Sequence, residues 1–289
     1  MIRDRLNTYA KLGRIWISFA TGFSAATGHI LAVYFPRPGI LMTGAGVFLL
    51  ACGASALNQY QERDTDALME RTRSRPLPSG SISFRHALLF ALVCSLGGLI
   101  AIFVSGGFAG LIGGLFAVIW YNGLYTYLKK KNAYAFLPGA LVGAITPALG
   151  WVAGSGSYTD SFFVLCLFFY LWQVPHFWLY AAQYGKEYSD AGLPSIASIF
   201  SAEQLARIIF IWISAIAVTS LFLVPAGLAL QLPVRYMMVA ASLWLIIQGS
   251  RLLIIKSGSP VYGKVLGFIN LYLLIVMSLL IADRIILWL

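Results

Sequence analysis

Nine apolar runs, each close to the roughly 20 residues that cross a bilayer as a helix, account for most of this sequence. They cover about residues 14–34, 39–58, 87–105, 107–126, 134–154, 161–182, 207–226, 234–252 and 264–288. Hydrophobic residues make up 60% of the 289 positions, charged residues only 10%, and the mean hydropathy is +0.82. This composition excludes an ordinary soluble domain and indicates a polytopic membrane protein.

The runs are predicted to be helices rather than strands of a barrel. None of them alternates polar and apolar residues over a sustained length, as barrel strands do. Short breaks rich in Gly and Pro, such as "PRPG" and "SGGFAG", separate neighbouring runs. We therefore expect an all-α bundle of nine transmembrane helices that forms a single domain over residues 1–289.

The basic residues predict the orientation of the bundle. If the N-terminus is cytoplasmic, the 20 Lys and Arg residues all fall on the cytoplasmic side except Arg37, Arg235 and Arg284. The formal net charge of +10 is then a topology signal, and we do not interpret it as nucleic-acid binding. The first apolar run is too long for a signal-peptide core, and no transit-peptide pattern precedes it. These features favour the bacterial inner membrane.

The segment "NQYQERDTDALMERTRSRPLPSG", residues 58–80, concentrates charge between two apolar runs. Asn58, Glu62 and Asp66 are spaced i, i+4, i+8, so a continuing helix would present three oxygen-bearing side chains on one face. Oxygen ligands of this kind suit Mg²⁺, which completes its coordination with substrate phosphates. Arg71 and Arg75 follow at i, i+4, and guanidinium groups bind phosphate oxygens bidentately. The pattern indicates a magnesium diphosphate site; the alternative is a solvated, charged loop.

Two further polar segments lie on the same predicted side of the membrane. In "GKEYSDAGLP", Glu187 and Asp190 are spaced i, i+3 and could supply the second half of a metal site. In "YTYLKKKN", Lys129 and Lys130 could contact phosphate, or could serve only as a basic anchor at the membrane surface.

The segment "LWQVPHFW" places a histidine among aromatic residues near the predicted cytoplasmic end of the sixth run. Neutral imidazole is a common ligand of haem iron, and His176, with Trp172 one turn earlier, could therefore hold a flat metalloporphyrin. A packing histidine that is satisfied by a hydrogen bond is the alternative.

Together, these motifs resemble those of UbiA-type intramembrane prenyltransferases, and specifically the protohaem IX farnesyltransferase branch. The 58–80 segment resembles the pattern N-x-x-x-D/E-x-x-x-D followed by R-T-x-x-R-P. "YTYLKKKN", "VGAITPALGW", "LWQVPHFW" and "GKEYSDAGLP" are similar to the later motifs of that branch and follow in the same order. Glu187 stands where the branch usually has Asp.

The resemblance implies a function. Farnesyl diphosphate would be the donor and haem B the acceptor, with Mg²⁺ held by Asn58, Glu62, Asp66, Glu187 and Asp190. Arg71, Arg75, Lys129 and Lys130 would bind the diphosphate, and His176 with Trp172 would bind the haem. Attack by a vinyl group and addition of water would give haem O, at a site facing the cytoplasm. The lipid bilayer would accommodate the apolar substrate tail. The oligomeric state stays open.

The sequence leaves two alternatives open. A related prenyltransferase could act on an aromatic acceptor such as 4-hydroxybenzoate, with the same metal and diphosphate residues. A transporter would instead need charged groups near the middle of the membrane, where this sequence has almost none.

Overall fold

The computed structural model describes residues 2–33, 35, 37–254 and 261–289, and every regular element within them is helical. The α-helices are α1 (Ile2–Leu12), α2 (Ile15–Ala32), α3 (Gly39–Leu68), α4 (Phe84–Val118), α5 (Thr126–Leu128), α6 (Phe136–Ser155), α7 (Asp160–Asp190), α8 (Ala202–Phe222), α9 (Leu232–Gly249), α10 (Arg251–Ile254) and α11 (Val261–Trp288). A π-helical turn (Ile119–Tyr125) joins α4 to α5, and 3₁₀ turns lie at Ala133–Ala135 and Ile196–Ser198.

The described residues contain helices for nine membrane crossings. Among the described residues, eight helical stretches are long and apolar enough to span a bilayer. One of them, Phe84–Leu128, contains 45 residues, about twice the length that a single crossing requires. Gly107 breaks this stretch with a φ of 59°, a conformation that glycine adopts without steric penalty. The break falls within "SGGFAG", so the prediction of two crossings there, and of nine in all, is confirmed.

The helices differ from the predicted runs mainly at the ends that carry the polar motifs. Helix α3 continues ten residues past the predicted end at Asn58, and α7 continues to Asp190. The hydropathy pattern marks the hydrocarbon crossing, whereas a helix continues as long as its backbone hydrogen bonds do. Helix α1 was not predicted, because it is too polar to register as an apolar run. Residue 34, the predicted end of the first run, and Lys256 of the basic set lie outside the described residues.

The crossings form two groups. Helices α2, α3, α4 and α6 pack against one another, as do α7, α8, α9 and α11. Contacts of α6 with α7 and of α2 with α11 join the groups. Each group carries one acidic segment, at the end of α3 in the first and at the end of α7 in the second.

Small residues allow the central helices to approach closely. Where α2 meets α6, a Cβ atom on Gly150 would overlap the carbonyl of Ala25. Such close backbone contact is typical of membrane helices, which associate by packing because lipid provides no hydrophobic driving force between them. In the second group, α7, α8, α9 and α11, buried hydroxyl groups join the last three helices by hydrogen bonds. Tyr272 is fully buried, and its hydroxyl lies 2.5 Å from Oγ of Ser220 and 2.9 Å from Oγ of Ser242.

Candidate active site

One face of the last turns of α3 carries three buried polar side chains. Asn58, Glu62 and Asp66 are exposed by only 0%, 5% and 1%, respectively. Asp64, on another face of the same turns, has a side chain that is 84% exposed. Burial of two carboxylates within a few turns is costly unless cations compensate them. The helix therefore directs these groups into the protein rather than towards water, as their spacing predicts.

The first compensating cation is Arg75. The chain reverses after α3, where the hydroxyl of Thr72 donates a hydrogen bond of 2.8 Å to the carbonyl of Asp66. This reversal brings Nη1 of Arg75 within 2.6 Å of Oδ2 of Asp66. Burial lowers the pKa of Arg75, and the like charge of Arg14 lowers it further. The guanidinium is thus held in a poorly solvated place, where an additional anion would be favoured.

The second compensating cation is Lys129, just after α5. Its Nζ lies 2.5 Å from Oε1 of Glu62 and 5.5 Å from the centre of the Tyr125 ring. Burial opposes the charged form of Lys129, but the carboxylate of Glu62 outweighs it and raises the pKa above the ordinary value. That carboxylate oxygen makes the ion pair without the angles of a regular hydrogen bond. Lys130 points elsewhere and donates to the carbonyl of Gln61 at 3.1 Å.

Arg71 joins the two acidic segments. Its backbone N–H donates a hydrogen bond of 3.2 Å to Oε2 of Glu187, and its Nη1 donates one of 3.0 Å to the hydroxyl of Tyr180. The guanidinium also lies 5.0 Å from the ring centres of both Tyr180 and Tyr184. The end of α7 thereby meets the segment that follows α3. Asp190, at the last position of α7, is exposed.

Sequence reasoning missed Arg14, which was assigned only to the topology signal. It connects α1 to α2 in a left-handed conformation with a φ of 46°, which is unfavourable for a residue with a side chain. Its Nη2 lies 3.4 Å from Oδ1 of Asn58. Burial opposes the charged form, but Tyr121 and Glu62 raise the pKa of Arg14 above its ordinary value. A basic residue at the N-terminal end of the first apolar run was the available signal.

Sequence reasoning also missed the polar pair Gln61 and Asn122. Nδ2 of Asn122 donates to the carbonyl of Ala54 at 3.0 Å and to Oε1 of Gln61 at 3.2 Å, and Nε2 of Gln61 donates to the carbonyl of Asn122 at 3.0 Å. Asn122 lies in the π-helical turn, and such irregular turns frequently occur at functional sites. An Asn inside an apolar run was the available signal.

Aromatic rings line the route from the charged groups towards α7. Tyr121 stacks on Tyr125 with ring centres 5.9 Å apart, and Tyr125 stacks on Phe177 at 5.7 Å. Aromatic faces attract cations through their quadrupole. This stack could therefore stabilise a carbocation beside the charged groups.

His176 lies on α7 one turn before Tyr180. The two rings are nearly parallel, with an interplanar angle of 15° and centres 6.5 Å apart. Nδ1 of His176 lies 3.0 Å from Oδ1 of Asn270 on α11. Trp172, one turn earlier, donates from its indole Nε1 to the carbonyl of Ile269 at 2.9 Å, and its ring centre is 5.0 Å from that of His176. The predicted haem residues thus lie at the contact between α7 and α11.

The acidic groups fit a magnesium ion only in combination with a phosphate ligand. Within the described part of the chain, no three histidine, cysteine or carboxylate side chains lie together as a metal site. Glu62 and Asp66 are instead each paired with a cation, as two nearby buried carboxylates must be. Asn58, Glu62 and Asp66 nevertheless form a buried set of oxygen donors. Mg²⁺ is typically held by one or two carboxylates plus substrate phosphates, so this set fits it.

The chain is similar to proteins of known family. Residues 15–271 match the profile of the UbiA prenyltransferase family. A protoheme IX farnesyltransferase of Oleidesulfovibrio alaskensis is 33% identical over 97% of this chain and 98% of its own length. Another protein of that name, from Nitratidesulfovibrio vulgaris, is 38% identical over 78% of this chain and 79% of its own length.

Solved structures share the fold at low sequence identity. A structure of digeranylgeranylglyceryl phosphate synthase superposes with a TM-score of 0.77 at 18% identity, covering 97% of this chain and 98% of that one. A UbiA homologue from Archaeoglobus fulgidus, bound to GPP and Mg²⁺, superposes with a TM-score of 0.69 at 16% identity, covering 97% and 99%.

Proposed function

Because the chain belongs to the UbiA prenyltransferase family, grouping with proteins named protoheme IX farnesyltransferase, we propose that it converts haem B into haem O. The reaction transfers a farnesyl group from farnesyl diphosphate to a vinyl group of the haem, and water is added. One observation carries the proposal: the buried Asn58, Glu62 and Asp66 face lies within a ring of basic side chains, beside the α7 segment that bears His176.

The donor is proposed to bind at the charged end of the bundle. Mg²⁺ would be held by Asn58, Glu62 and Asp66, with Glu187 from the second group, and would neutralise charge on the diphosphate. Arg71, Arg75 and Lys129 each lie in contact with one of these acidic segments, so a bound diphosphate would meet basic groups on several sides. Breaking the allylic C–O bond requires this stabilisation of the leaving pyrophosphate.

We add Arg14 to the basic residues proposed to surround the diphosphate, because it contacts Asn58. Lys130 and Asp190 are assigned supporting roles at most. Lys130 is bound to the Gln61 carbonyl, and Asp190 is exposed at the end of α7.

The acceptor is proposed to bind beside His176 and Trp172. The C–O bond of the donor breaks, the pyrophosphate leaves with the bonding electrons, and the vinyl carbon forms the new C–C bond. The cation that remains next to the porphyrin takes up water and releases a proton, which gives the hydroxyethylfarnesyl substituent. Tyr121, Tyr125 and Phe177 would stabilise the farnesyl cation through their faces and would exclude water until the C–C bond has formed.

The protein is proposed to lie in the bacterial inner membrane as a single prenyltransferase domain, with this site facing the cytoplasm. The ends of α3, α5 and α7, with the segments that follow α3 and α5, carry eight basic residues: Arg63, Arg71, Arg73, Arg75, Lys129, Lys130, Lys131 and Lys186. Basic residues concentrate on the cytoplasmic side of membrane proteins.

The test uses the purified full chain in lipid nanodiscs with farnesyl diphosphate, haem B and Mg²⁺. Mass spectrometry of the extracted haem should detect haem O, with pyrophosphate released in equal amount and no turnover in the presence of a chelator. Asp66→Asn should lower the rate roughly 100-fold or more, because the site loses a charged ligand for the Mg²⁺ that would neutralise the leaving pyrophosphate.

Asp64→Asn is the matched control, since Asp64 is exposed two residues away and should retain the wild-type rate. Prenylation of 4-hydroxybenzoate without any change in the haem would overturn the assignment in favour of an aromatic acceptor. Equal activity of the two variants would remove Asp66 from the site.

A further inference from the structure

The proposed function leaves unassigned a polar side chain on α11, at the place where this helix meets α7. Asn270 is exposed, although it lies in a helix that is long and apolar enough to cross a membrane. A polar side chain in that environment is unfavourable unless it has a partner or a function. Its described partner is Nδ1 of His176, at 3.0 Å.

The hydrogen bond fixes the chemistry of the imidazole. With Oδ1 of Asn270 facing the ring, this oxygen accepts and Nδ1 of His176 carries the proton that it donates. In the neutral ring, the lone pair then lies on Nε2. Histidines that bind metals use this arrangement, in which the nitrogen opposite the metal donates to a carbonyl or carboxylate oxygen, and the bond increases the basicity of the ligating nitrogen.

We propose that Asn270 is a positioning residue for the haem substrate: it holds His176 as an axial ligand that binds the iron through Nε2. This inference rests on the proposed haem-farnesylating function and adds to it the group that orients the acceptor. Asn270 acts through His176 and does not touch the reacting carbons.

The surrounding contacts support such a role. The indole of Trp172 bonds to the carbonyl of Ile269, the residue before Asn270, so two adjacent hydrogen bonds join α7 to α11 at this point. Tyr180, one turn after His176, bonds to Arg71 in the segment that follows α3. A haem on His176 would therefore lie one helical turn from the residues proposed to hold the diphosphate.

The test measures how haem B binds to the purified full-length protein, in the wild type and in the variants Asn270→Ala and Asn270→Asp. Loss of the acceptor in Asn270→Ala should raise the Kd for haem about 10- to 100-fold, the usual effect of removing such a partner. The iron–histidine stretching band of the ferrous haem should move to lower frequency. Asn270→Asp supplies a stronger acceptor. It should therefore bind haem at least as tightly as the wild type, and its iron–histidine band should lie at a higher frequency than that of the wild type.

Two further variants separate ligation from packing. His176→Ala should lose the band altogether and regain an axial nitrogen ligand when imidazole is added. Leu274→Ala removes a side chain that is 48% exposed, one turn further along α11, and should leave both affinity and band unchanged. If Asn270→Ala keeps the wild-type band, or if Leu274→Ala weakens haem binding equally, the inference is overturned.

The same samples distinguish the two levels of the proposal. If the wild type forms haem O while Asn270→Ala keeps the wild-type band and Kd, only the positioning role fails. If the wild type neither binds nor farnesylates haem, the proposed function fails, and this inference fails with it.

Discussion

The backbone N–H of Arg71 donates a hydrogen bond of 3.2 Å to Oε2 of Glu187, a residue 116 positions later in the chain. This bond lies between the two groups of helices. It connects the segment after α3, which carries Arg75 and follows Asp66, with the end of α7, which also carries His176. The two acidic segments therefore meet at one end of the bundle, as a site for two substrates requires.

The first prediction concerns Arg75. Arg75→Lys should lower kcat/KM for farnesyl diphosphate roughly 10- to 100-fold, because hydrogen bonds to charged groups contribute about 1.5–3 kcal/mol and lysine lacks the planar fork. Steady-state kinetics on the purified protein measures the change. Arg73→Lys is the control, since Arg73 is 66% exposed and its described ion pair is with the exposed Glu70. Wild-type kinetics from Arg75→Lys would mean that Arg75 contributes only to the orientation of the protein in the membrane.

A second prediction concerns the pH dependence of the Glu62–Lys129 pair. The pKa of Lys129 is raised by Glu62, so its stabilising contribution is fully present below the ordinary lysine pKa of 10.5 and is lost as the pH rises through the raised value. In Glu62→Gln, the carboxylate that contributes most to raising this pKa is removed, so burial lowers the pKa of Lys129 against only the weaker effects of the neighbouring tyrosines. Charging Lys129 then destabilises the fold at neutral pH, and this penalty is relieved as the pH rises.

The thermal midpoint in detergent, followed from pH 7 upward, should therefore show a gap between wild type and Glu62→Gln that narrows with increasing pH. Asp64→Asn removes an exposed carboxylate that lies 3.6 Å from Arg63, and should show a small, constant difference. A gap for Glu62→Gln that stays constant with pH would contradict a direct pairing of Glu62 with Lys129.

The third prediction concerns the contact of α2 with α6. Gly150→Ala would place a methyl group against the Ala25 carbonyl, and overpacking of this kind typically destabilises a protein by about 1–3 kcal/mol. The midpoint of thermal unfolding should fall accordingly. Gly267→Ala in α11 meets no atom within 4 Å and should be neutral or slightly stabilising. Equal midpoints for the two variants would show that α2 and α6 can move apart without loss of stability.

The fourth prediction concerns orientation. A cysteine at Glu70, whose side chain is 82% exposed near the site, should react with an impermeant maleimide only when the cytoplasmic face is accessible. A cysteine at Ser157, in the exposed turn between α6 and α7, should react only from the opposite face. Labelling of intact cells and of inverted vesicles, with the native cysteines replaced, measures both. Reversed labelling would place the site on the outer face.

The sequence by itself determined the class of fold and which residues of α3 belong to the site. Bilayer thickness sets the length of each apolar run, so nine crossings and a break within "SGGFAG" could be predicted without coordinates. Helical periodicity is equally local, and it placed Asn58, Glu62 and Asp66 on one face.

Only the tertiary structure decided which cation pairs with which carboxylate, and that Arg14, Gln61, Asn122 and Asn270 join these groups. Lys129 and Lys130 are neighbours in one basic run, yet one binds Glu62 and the other a backbone carbonyl, because they leave the chain in different directions. Arg14 and Asn58 are 44 residues apart, and Asn270 and His176 are 94 apart. Contacts over such separations depend on how the helices pack, and no local spacing rule encodes that packing.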